Sequence, residues 1–268
     1  MTDTIEALAP GGVMDSFPAQ TPLETICVPD TYLQDMWDRA AGWWAQHLRE
    51  DKNRRLQVFP LVLSLLGDSK GLEILDAGCG EGTFARMLAD AGCTVTGVDF
   101  SRLLDVAQGY ETQEPRGIRY IKANLTDLTK VLPIPESFDA VVCNLVLHCF
   151  PRIDTVLRAL ETQLKPGGSL VVSDLHPDTF PFFSRAWTSC VPAGGNEYRY
   201  TLSADCPELT LFLHPTTELE AAFERAGFVC RQRLAPSAPG EWQDAGMPQF
   251  LYYRLQRAPV PCLNPSHV

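Results

Sequence analysis

The 268-residue sequence predicts an α/β fold in which helices cover both faces of a doubly wound, mostly parallel sheet. Short apolar runs alternate with amphipathic helical runs after Gly71, which is the rhythm of strand, helix and strand. Residues 139–144 (Asp-Ala-Val-Val-Cys-Asn) are apolar on both faces, which is typical of a central parallel strand. A glycine-rich segment also follows the first predicted strand and opens a helix, as in sheets that bind a ligand at the carboxyl ends of their strands.

The predicted elements follow one another along most of the chain. From Pro29, apolar residues recur every three or four positions and predict a helix, and a second helical run covers about 52–67. The strands expected next are 72–77, 94–98, 118–122, 139–144 and 169–174. The helices between them are expected at about 82–91, 101–109, 126–132 and 152–164. A helix at 216–227 and strands at 228–234 and 249–256 complete the prediction.

One domain, residues 30–256, accounts for most of the chain, since 268 residues suffice for a single large α/β core. Residues 1–29 carry four prolines and a Gly-Gly pair, which predicts a flexible arm, and 257–268 are predicted to be a tail. Residues 178–214 interrupt the rhythm with aromatic side chains between prolines and glycines. We expect an insertion after strand five that forms a lid over an apolar or aromatic ligand, with a small satellite core as the alternative.

Charge and cysteine content narrow the classes of partner. The formal net charge is −11, whereas proteins that bind nucleic acid need an excess of Lys and Arg to contact the phosphates. We therefore expect neither nucleic acid nor an anionic membrane as a partner. No apolar stretch reaches the roughly 20 residues that span a bilayer. The nine cysteines include no CxxC pair, so we predict no metal site and free thiols in the reducing cytoplasm.

The strongest functional signal lies in residues 74–84, Ile-Leu-Asp-Ala-Gly-Cys-Gly-Glu-Gly-Thr-Phe. Glycines let the backbone turn tightly between strand and helix and approach a ligand closely. The dinucleotide fingerprint requires a third glycine where this sequence has Thr83. Asp99 ends the next predicted strand about 20 residues later, where a carboxylate can accept hydrogen bonds from a ribose diol. The two features together predict a site for an adenosine-containing ligand.

Residues from about 30 to 256 resemble class I S-adenosylmethionine (SAM)-dependent methyltransferases, and are most similar to the ubiquinone/menaquinone-biosynthesis-like and natural-product enzymes. The resemblance rests on Asp-x-Gly-x-Gly-x-Gly from Asp76, on Asp99, and on the Lys-Pro-Gly-Gly turn at 165–168. It implies a Rossmann-like seven-stranded sheet whose last strand is antiparallel, preceded by N-terminal helices. It also implies methyl transfer from SAM, with S-adenosylhomocysteine as product, to O, N or C of a small apolar or aromatic molecule in secondary metabolism. We expect a monomer or homodimer.

The resemblance also implies which residues hold the cofactor. Gly78, Cys79 and Gly80 would pass under the methionine part of SAM, and Asp76 would order that loop or hold the SAM amino group. Asp99 would bind the ribose hydroxyls. The other implied contacts are Phe100 against the adenine, Asn124 and Leu125 after strand three, Asn144 and Leu145 near the sulfonium, and Trp37 and Arg54 from the N-terminal helices. Trp44 resembles the same N-terminal helices, and core packing is the alternative for both tryptophans.

Three histidines are candidates for a general base, which helps where the methyl acceptor is a hydroxyl or a protonated amine. His148 follows strand four, His176 follows strand five, and His214 ends the insertion, so all three are expected near the carboxyl edge of the sheet. His176 ranks first because its strand end faces the acceptor side. A structural role is the alternative for each histidine.

Three other functions remain open from the sequence. One is a nucleic-acid or protein methyltransferase, although the acidic net charge counts against it, and so does the absence of an Asn-Pro-Pro-Tyr-type motif after strand four, where Asn144 is followed by Leu145-Val146-Leu147. A nicotinamide-dependent oxidoreductase uses a similar sheet, although Thr83 in place of glycine counts against it. A non-catalytic SAM-binding protein is disfavoured because the glycine turn and Asp99 are both intact.

Overall fold

A computed structural model describes residues 30–48, 51, 54–238 and 246–259. The predicted arm at 1–29 and the part of the predicted tail beyond Pro259 lie outside these residues. Within the described part of the chain, no helix is long and apolar enough to cross a membrane.

Ten strands and eight α-helices occur in the described ranges. The strands are β1 (Glu73–Ala77), β2 (Thr94–Asp99), β3 (Arg119–Lys122), β4 (Phe138–Asn144), β5 (Leu164–Leu175), β6 (Ser189–Gly194), β7 (Glu197–Thr201), β8 (Leu209–Phe212), β9 (Phe228–Leu234) and β10 (Phe250–Arg257). The helices are α1 (Asp30–Leu48), α2 (Phe59–Leu66), α3 (Thr83–Asp90), α4 (Leu103–Gln113), α5 (Leu128–Val131), α6 (Asp154–Gln163), α7 (Phe180–Phe183) and α8 (Thr216–Arg225).

The main sheet has seven strands in the order β3-β2-β1-β4-β5-β10-β9. The pairs β1–β2, β2–β3, β1–β4 and β4–β5 are parallel, whereas β10 is antiparallel to both β5 and β9. The strand order reverses between β1 and β4, which places a crevice at the carboxyl ends of these strands. The predicted fold class, with its antiparallel last strand, is confirmed.

Both faces of the sheet are buried, as the apolar texture of the strands predicts. Val141 and Val172 belong to the apolar cluster that β4 and β5 form with α6 and α8. Their chain neighbours Val142 and Val171 belong to the opposite cluster, with α2 and α3. All four side chains are at most 1% exposed, so alternate residues of each strand fill two separate cores.

Two elements differ from their predicted bounds for local reasons. The second predicted helix, 52–67, divides into a π-helical turn at Arg54–Val58 and α2, with Pro60 in the first turn of α2. Proline lacks a backbone N–H and is favoured at that position of a helix. β5 begins at Leu164, before the predicted 169, because Leu164 pairs with Phe138 and the Lys-Pro-Gly-Gly segment forms a bulge inside the strand.

The segment 178–214 forms a second, three-stranded antiparallel sheet in the order β6-β7-β8, which the sequence analysis did not predict. Its aromatic side chains contact one another, with ring centroids 4.7 Å apart for Trp187 and Tyr200 and 5.3 Å for Phe180 and Tyr198. They share an apolar cluster with residues of α1. The segment therefore packs against α1 through this shared apolar cluster.

Candidate functional site

The glycine turn after β1 is shaped by its backbone. The N–H groups of Gly78 and Cys79 both donate to the Val98 carbonyl, at 2.8 and 3.1 Å, so β2 holds the start of the turn. Gly78 has a φ of 77°, and a Cβ there would lie 2.5 Å from a methyl carbon of Val146. Any side chain at position 78 would therefore require both a left-handed backbone and displacement of the loop after β4.

Asp99 connects the end of β2 to this turn. Its Oδ2 accepts from the Gly80 N–H at 2.9 Å, and its Oδ1 accepts from the N–H and hydroxyl of Ser101 at 2.8 and 2.7 Å. Burial raises the pKa of Asp99, although these hydrogen bonds act in the opposite direction. Ser101, which is 1% exposed, is a site residue that the sequence analysis missed. Its position two residues after Asp99 was the available signal.

Asp76 lies on β1 and is 2% exposed. Its Oδ2 is buried and has no hydrogen-bond partner among the described residues. Burial, together with the charges of Glu81 and Asp99, raises the pKa of Asp76 to about 7. An unpaired buried acceptor is costly unless a ligand supplies its partner, so Asp76 is suited to a cationic group.

A cavity of about 840 Å³, open to solvent on one side, lies at the carboxyl ends of β1, β2 and β4. This volume includes open solvent at the mouth of the cavity. The predicted cofactor residues that line the cavity are Trp37, Arg54, Asp76, Gly78, Cys79, Gly80, Asp99, Phe100, Leu125, Asn144 and Leu145. Glu81, which the sequence analysis assigned no role, also lines it and is 6% exposed.

Asn124 does not line the cavity, although its neighbours Ala123 and Leu125 do. Its side-chain oxygen accepts from the N–H and the hydroxyl of Thr126, both at 3.0 Å, and so caps the 3-10 helical turn Leu125–Asp127. The contact from Asn124 to the cofactor stays a prediction. The side-chain oxygen that would make this contact already accepts two hydrogen bonds from Thr126.

The loop after β4 is fixed by β5. Asn144 accepts a hydrogen bond from the Ser173 hydroxyl, and the Leu145 N–H donates to the Ser173 carbonyl at 2.9 Å. Leu145 has a φ of 58°, a left-handed conformation that is rare outside glycine and that surrounding structure must impose. The strain lies beside the cavity, next to the Val146 side chain that closes over Gly78.

Helix α1 supplies one wall of the cavity. The rings of Trp37 and Trp44 stack with centroids 5.7 Å apart, and the Arg54 guanidinium lies 5.3 Å from the Trp44 ring centroid. Arg54 also pairs with Asp51 at 3.5 Å. The indole nitrogens of both tryptophans are buried without a hydrogen-bond acceptor among the described residues. Trp44 therefore lines the cavity. The helical spacing of apolar residues predicted that Trp44 is buried, but it could not show whether Trp44 packs in the core or lines a site.

His148 does not itself line the cavity, but the next two residues in the chain, Cys149 and Phe150, do. Its Nδ1 lies 2.5 Å from Asp174 Oδ1, and its N–H donates to Asp174 Oδ2 at 3.0 Å. Burial alone would lower the pKa of His148, but the charge and the hydrogen bond of Asp174 act in the opposite direction and raise it to about 10. The pairing therefore favours the imidazolium form of the ring.

His176 and His214 are not among the residues that line the cavity. His176 is 7% exposed, and burial lowers its pKa. His214 Nε2 lies 2.8 Å from the Phe150 carbonyl, and its Nδ1 lies 3.4 Å from the Asn196 side chain. The Nδ1 of His176 is buried without a hydrogen-bond partner among the described residues. None of the three candidates is itself a lining residue, so the cavity lining alone does not single out one of them.

Residues 75–172 match the family model described as a methyltransferase domain. The ubiquinone biosynthesis O-methyltransferase of Pseudomonas syringae pv. tomato is 32% identical over 142 residues, which is 51% of this chain and 59% of that protein. The counterpart from Coxiella burnetii is 33% identical over 144 residues, 53% of this chain and 58% of that protein. The chain therefore matches less than two thirds of the length of these curated relatives.

A solved structure of 1,6-didemethyltoxoflavin-N1-methyltransferase from Burkholderia thailandensis, with bound 1,6-didemethyltoxoflavin and S-adenosylhomocysteine, has a TM-score of 0.60 at 18% identity. The similarity covers 92% of this chain and 98% of that one. A SAM-dependent methyltransferase structure from Listeria monocytogenes has a TM-score of 0.59 at 23% identity, over 74% of this chain and 97% of that one. At these identities the two structures share the fold.

Proposed function

Since the chain carries a domain of the class I SAM-dependent methyltransferase family, whose cofactor is SAM, we propose that it methylates O, N or C of a small apolar or aromatic molecule. The observation that carries the proposal is the unpaired Asp76 oxygen, buried in the cavity beside a glycine turn that Asp99 fixes. We place the reaction in secondary metabolism.

The described residues fit SAM at three points. Asp76 offers an unpaired carboxylate oxygen to the SAM amino group, which is positively charged. Gly78 leaves no side chain between the backbone turn and the ligand. Arg54 offers a guanidinium to the SAM carboxylate, next to the unpaired indole N–H of Trp44. The cavity wall therefore carries both carboxylates and cationic and N–H donor groups.

The proposed ribose contact involves Ser101 as well as Asp99. The Asp99 carboxylate already accepts the Ser101 N–H, the Ser101 hydroxyl and the Gly80 N–H. A carboxylate has about four acceptor positions, so it keeps room for one ribose hydroxyl, and a second would replace or share the Ser101 hydroxyl. We therefore propose that Ser101 and Asp99 hold the ribose together.

When bound, SAM supplies a methyl group already activated on a sulfonium. The chain then has to hold the acceptor in line with that group and exclude water. Leu145, Val146 and Phe150 provide apolar wall on the side of the β4 loop, and Trp37 provides aromatic wall on the side of α1. This lining favours an apolar or aromatic acceptor over a highly charged one.

We propose that His148 acts on the acceptor, in place of His176, which ranked first from the sequence, because the two residues that follow His148, Cys149 and Phe150, line the cavity. Pairing with Asp174 raises the pKa of His148 and favours the imidazolium form, which is unsuited to take a proton. We propose that the ring instead stabilises the anionic, attacking form of a hydroxyl acceptor, while Asp174 holds it through Nδ1. A phenol is the acceptor type that ionises most readily under this influence.

Calorimetric titration with SAM, S-adenosylhomocysteine and NAD tests the proposal. We expect micromolar binding of the first two ligands and none of NAD. Binding of NAD alone would favour a nicotinamide-dependent oxidoreductase. Saturable SAM binding without turnover on a panel of phenols, amines and carbon acids would favour a non-catalytic SAM-binding protein.

Location and assembly are also proposals. We propose a cytoplasmic protein, because the seven cysteines within the described ranges are all free thiols, as in a reducing compartment. We propose a monomer or homodimer that takes a small molecule as its methyl acceptor and neither nucleic acid nor a membrane as a partner. Sedimentation of the purified protein would determine the assembly.

A further inference from the structure

A polar groove, open to solvent, lies at the edge of the main sheet opposite to the cofactor cavity. Its lining includes Leu66 at the end of α2, Leu72 and Asp139 at the amino ends of β1 and β4, and residues of β5, β9 and β10. The cavity lies at the carboxyl ends of the strands and shares no lining residue with the groove. The groove is therefore separate from the cavity, and its chemistry does not depend on the proposed function.

A β-bulge in β9 directs two neighbouring residues to this groove. Gln232 pairs with Arg254 of β10 and Cys230 pairs with Leu255, so Arg231 is the extra residue of the bulge. Consecutive side chains of a regular strand point to opposite faces, whereas Arg231 and Gln232 both line the groove. The bulge therefore places the Arg231 side chain on the same face of the sheet as Arg254, which also lines the groove.

Arg231 is held in place by hydrogen bonds that cross three strands. Its Nε donates to Gln256 Oε1 of β10 at 2.7 Å, and Gln256 Nε2 donates to the Gly167 carbonyl of β5 at 3.2 Å. This contact uses only the Nε of Arg231, so the two Nη groups keep their donors for a ligand. A guanidinium that is already fixed loses less conformational freedom when a ligand binds to it.

The charges of the groove are positive on balance, although the whole chain has a formal net charge of −11. Arg254 is exposed and makes no hydrogen bond or ion pair with another described residue. Two carboxylates, Asp68 and Asp139, also line the groove, but Lys165 neutralises Asp139 at 2.8 Å. Two guanidiniums, those of Arg231 and Arg254, therefore face the groove with one carboxylate that has no cationic partner among the described residues.

We propose that this groove binds a phosphate group, either as inorganic phosphate or as part of a small organic molecule. The N–H donors of a guanidinium match the oxygens of phosphate, and hydrogen bonds between charged groups are stronger than those between neutral ones. The Gln232 amide adds a neutral donor on the same face. Asp68 can accept from a hydroxyl of the ligand or from a protonated phosphate oxygen.

Calorimetric titration of the full chain with inorganic phosphate and with glycerol phosphate tests the proposal without any need for turnover. Sodium chloride holds the ionic strength at about 0.15 M, where diffuse attraction between exposed charges is largely screened. We expect saturable binding of one phosphate group per chain. Tighter binding of glycerol phosphate would identify a phosphate ester as the ligand, and binding of inorganic phosphate at least as tight would identify the free ion. No saturable binding of either probe would overturn the proposal.

Arginine variants test whether the groove is the site. Arg231→Gln and Arg254→Gln should each weaken phosphate binding at least about tenfold, because each removes a charged donor. Arg233→Gln is the matched control, since Arg233 lies on the same strand but pairs with Glu220 of α8 at 3.6 Å and does not line the groove. The control should bind phosphate as the parent does. An equal loss in all three variants would show attraction to the general charge of the strand and would contradict the site.

A saturating concentration of S-adenosylhomocysteine distinguishes the groove from the cofactor cavity. It should not displace phosphate, because the two sites lie at opposite edges of the sheet and share no lining residue. Displacement would place the anion in the cavity, which Arg54 lines, and would overturn the proposal. If phosphate binds as expected but SAM does not, the groove stands as a site and the proposed function fails.

Discussion

The Asp99 carboxylate accepts a hydrogen bond from the Gly80 N–H at 2.9 Å, and so joins the end of β2 to the turn that follows β1. The two residues lie 19 positions apart and meet because β1 and β2 are parallel neighbours. Asp99 therefore has two tasks, since it fixes the backbone under the ligand and also faces the cavity. A substitution there is expected to affect both.

Asp99→Ala should weaken SAM binding at least about tenfold, because it removes the ribose acceptor and releases the Gly80 N–H. Calorimetric titration measures the change. Asp105→Ala is the matched control, since this carboxylate lies on α4, is 58% exposed and pairs with Lys122 at 3.8 Å. Equal SAM affinity in Asp99→Ala and the parent would refute the assignment.

Asp76→Asn should stabilise the free protein and weaken SAM binding. The folded-state pKa of about 7 exceeds the ordinary 3.8, so the folded protein retains a proton that the unfolded chain loses between about pH 4 and 7. Stability therefore falls as pH rises through this window, by up to about 4 kcal/mol at roughly 1.4 kcal/mol per pKa unit. The amide of asparagine does not ionise, so the variant does not lose stability in this way as the pH rises.

Thermal unfolding at pH 5 and pH 8 measures the predicted gain in stability. At pH 8 the Asp76→Asn variant is expected to have a higher melting temperature than the parent protein. For the parent, SAM affinity should increase as pH rises through about 7, because the ionised carboxylate pairs with the SAM amino group. The variant should lose this pH dependence. A parent affinity that is flat between pH 5 and 8 would argue against Asp76 as the partner of a cation.

Gly78→Ala separates backbone strain from steric conflict when it is compared with Gly71→Ala. Both glycines have positive φ, 77° and 79°, but only at position 78 would a Cβ meet a neighbour, Val146 at 2.5 Å. Gly71→Ala should cost about 1 kcal/mol of unfolding free energy and leave SAM binding intact. Gly78→Ala should cost more, about 2–4 kcal/mol, and abolish binding. Similar losses in both variants would show that the Val146 contact is unimportant.

The histidines are distinguished by turnover. His148→Gln should lower kcat at least about tenfold once an acceptor is known, with SAM affinity nearly unchanged, because the lost charge acts on the acceptor. His176→Ala tests the ranking that the sequence suggested, by the same measurement. If His176→Ala lowers kcat and His148→Gln does not, the assignment to His148 is wrong and His176 returns as the candidate.

The structure explains why the sequence ranked the histidines differently. Strand ends place His148 and His176 at the same edge of the sheet, which the alternation of strands predicts correctly. The loop that carries His148 begins with the left-handed turn at Leu145, and His148 pairs with Asp174, 26 residues away in the chain. That pairing has no local sequence signal, because it joins a residue after β4 to a residue of β5.

The role of segment 178–214 is a second such case. Its aromatic residues predicted a lid, with a satellite core as the alternative. None of them lines the cavity in the described part of the chain, and they form a cluster with α1, whose Trp37 and Trp44 do line it. The lid remains a prediction. The contacts that the structure shows are those by which the segment packs against α1.

The sequence by itself determined the sheet with its antiparallel last strand, the resemblance to methyltransferases and most of the residues that line the cavity. Local backbone chemistry carries that information, because Gly78, Gly80 and Gly82 all adopt positive φ in the turn and Asp99 holds that turn through the Gly80 N–H. Only the tertiary structure decided that the Asp76 Oδ2 has no partner among the described residues, that Asn124 is a local cap, and that His148 pairs with Asp174. These properties arise from burial and from partners on other strands, and the chain acquires both only when it folds.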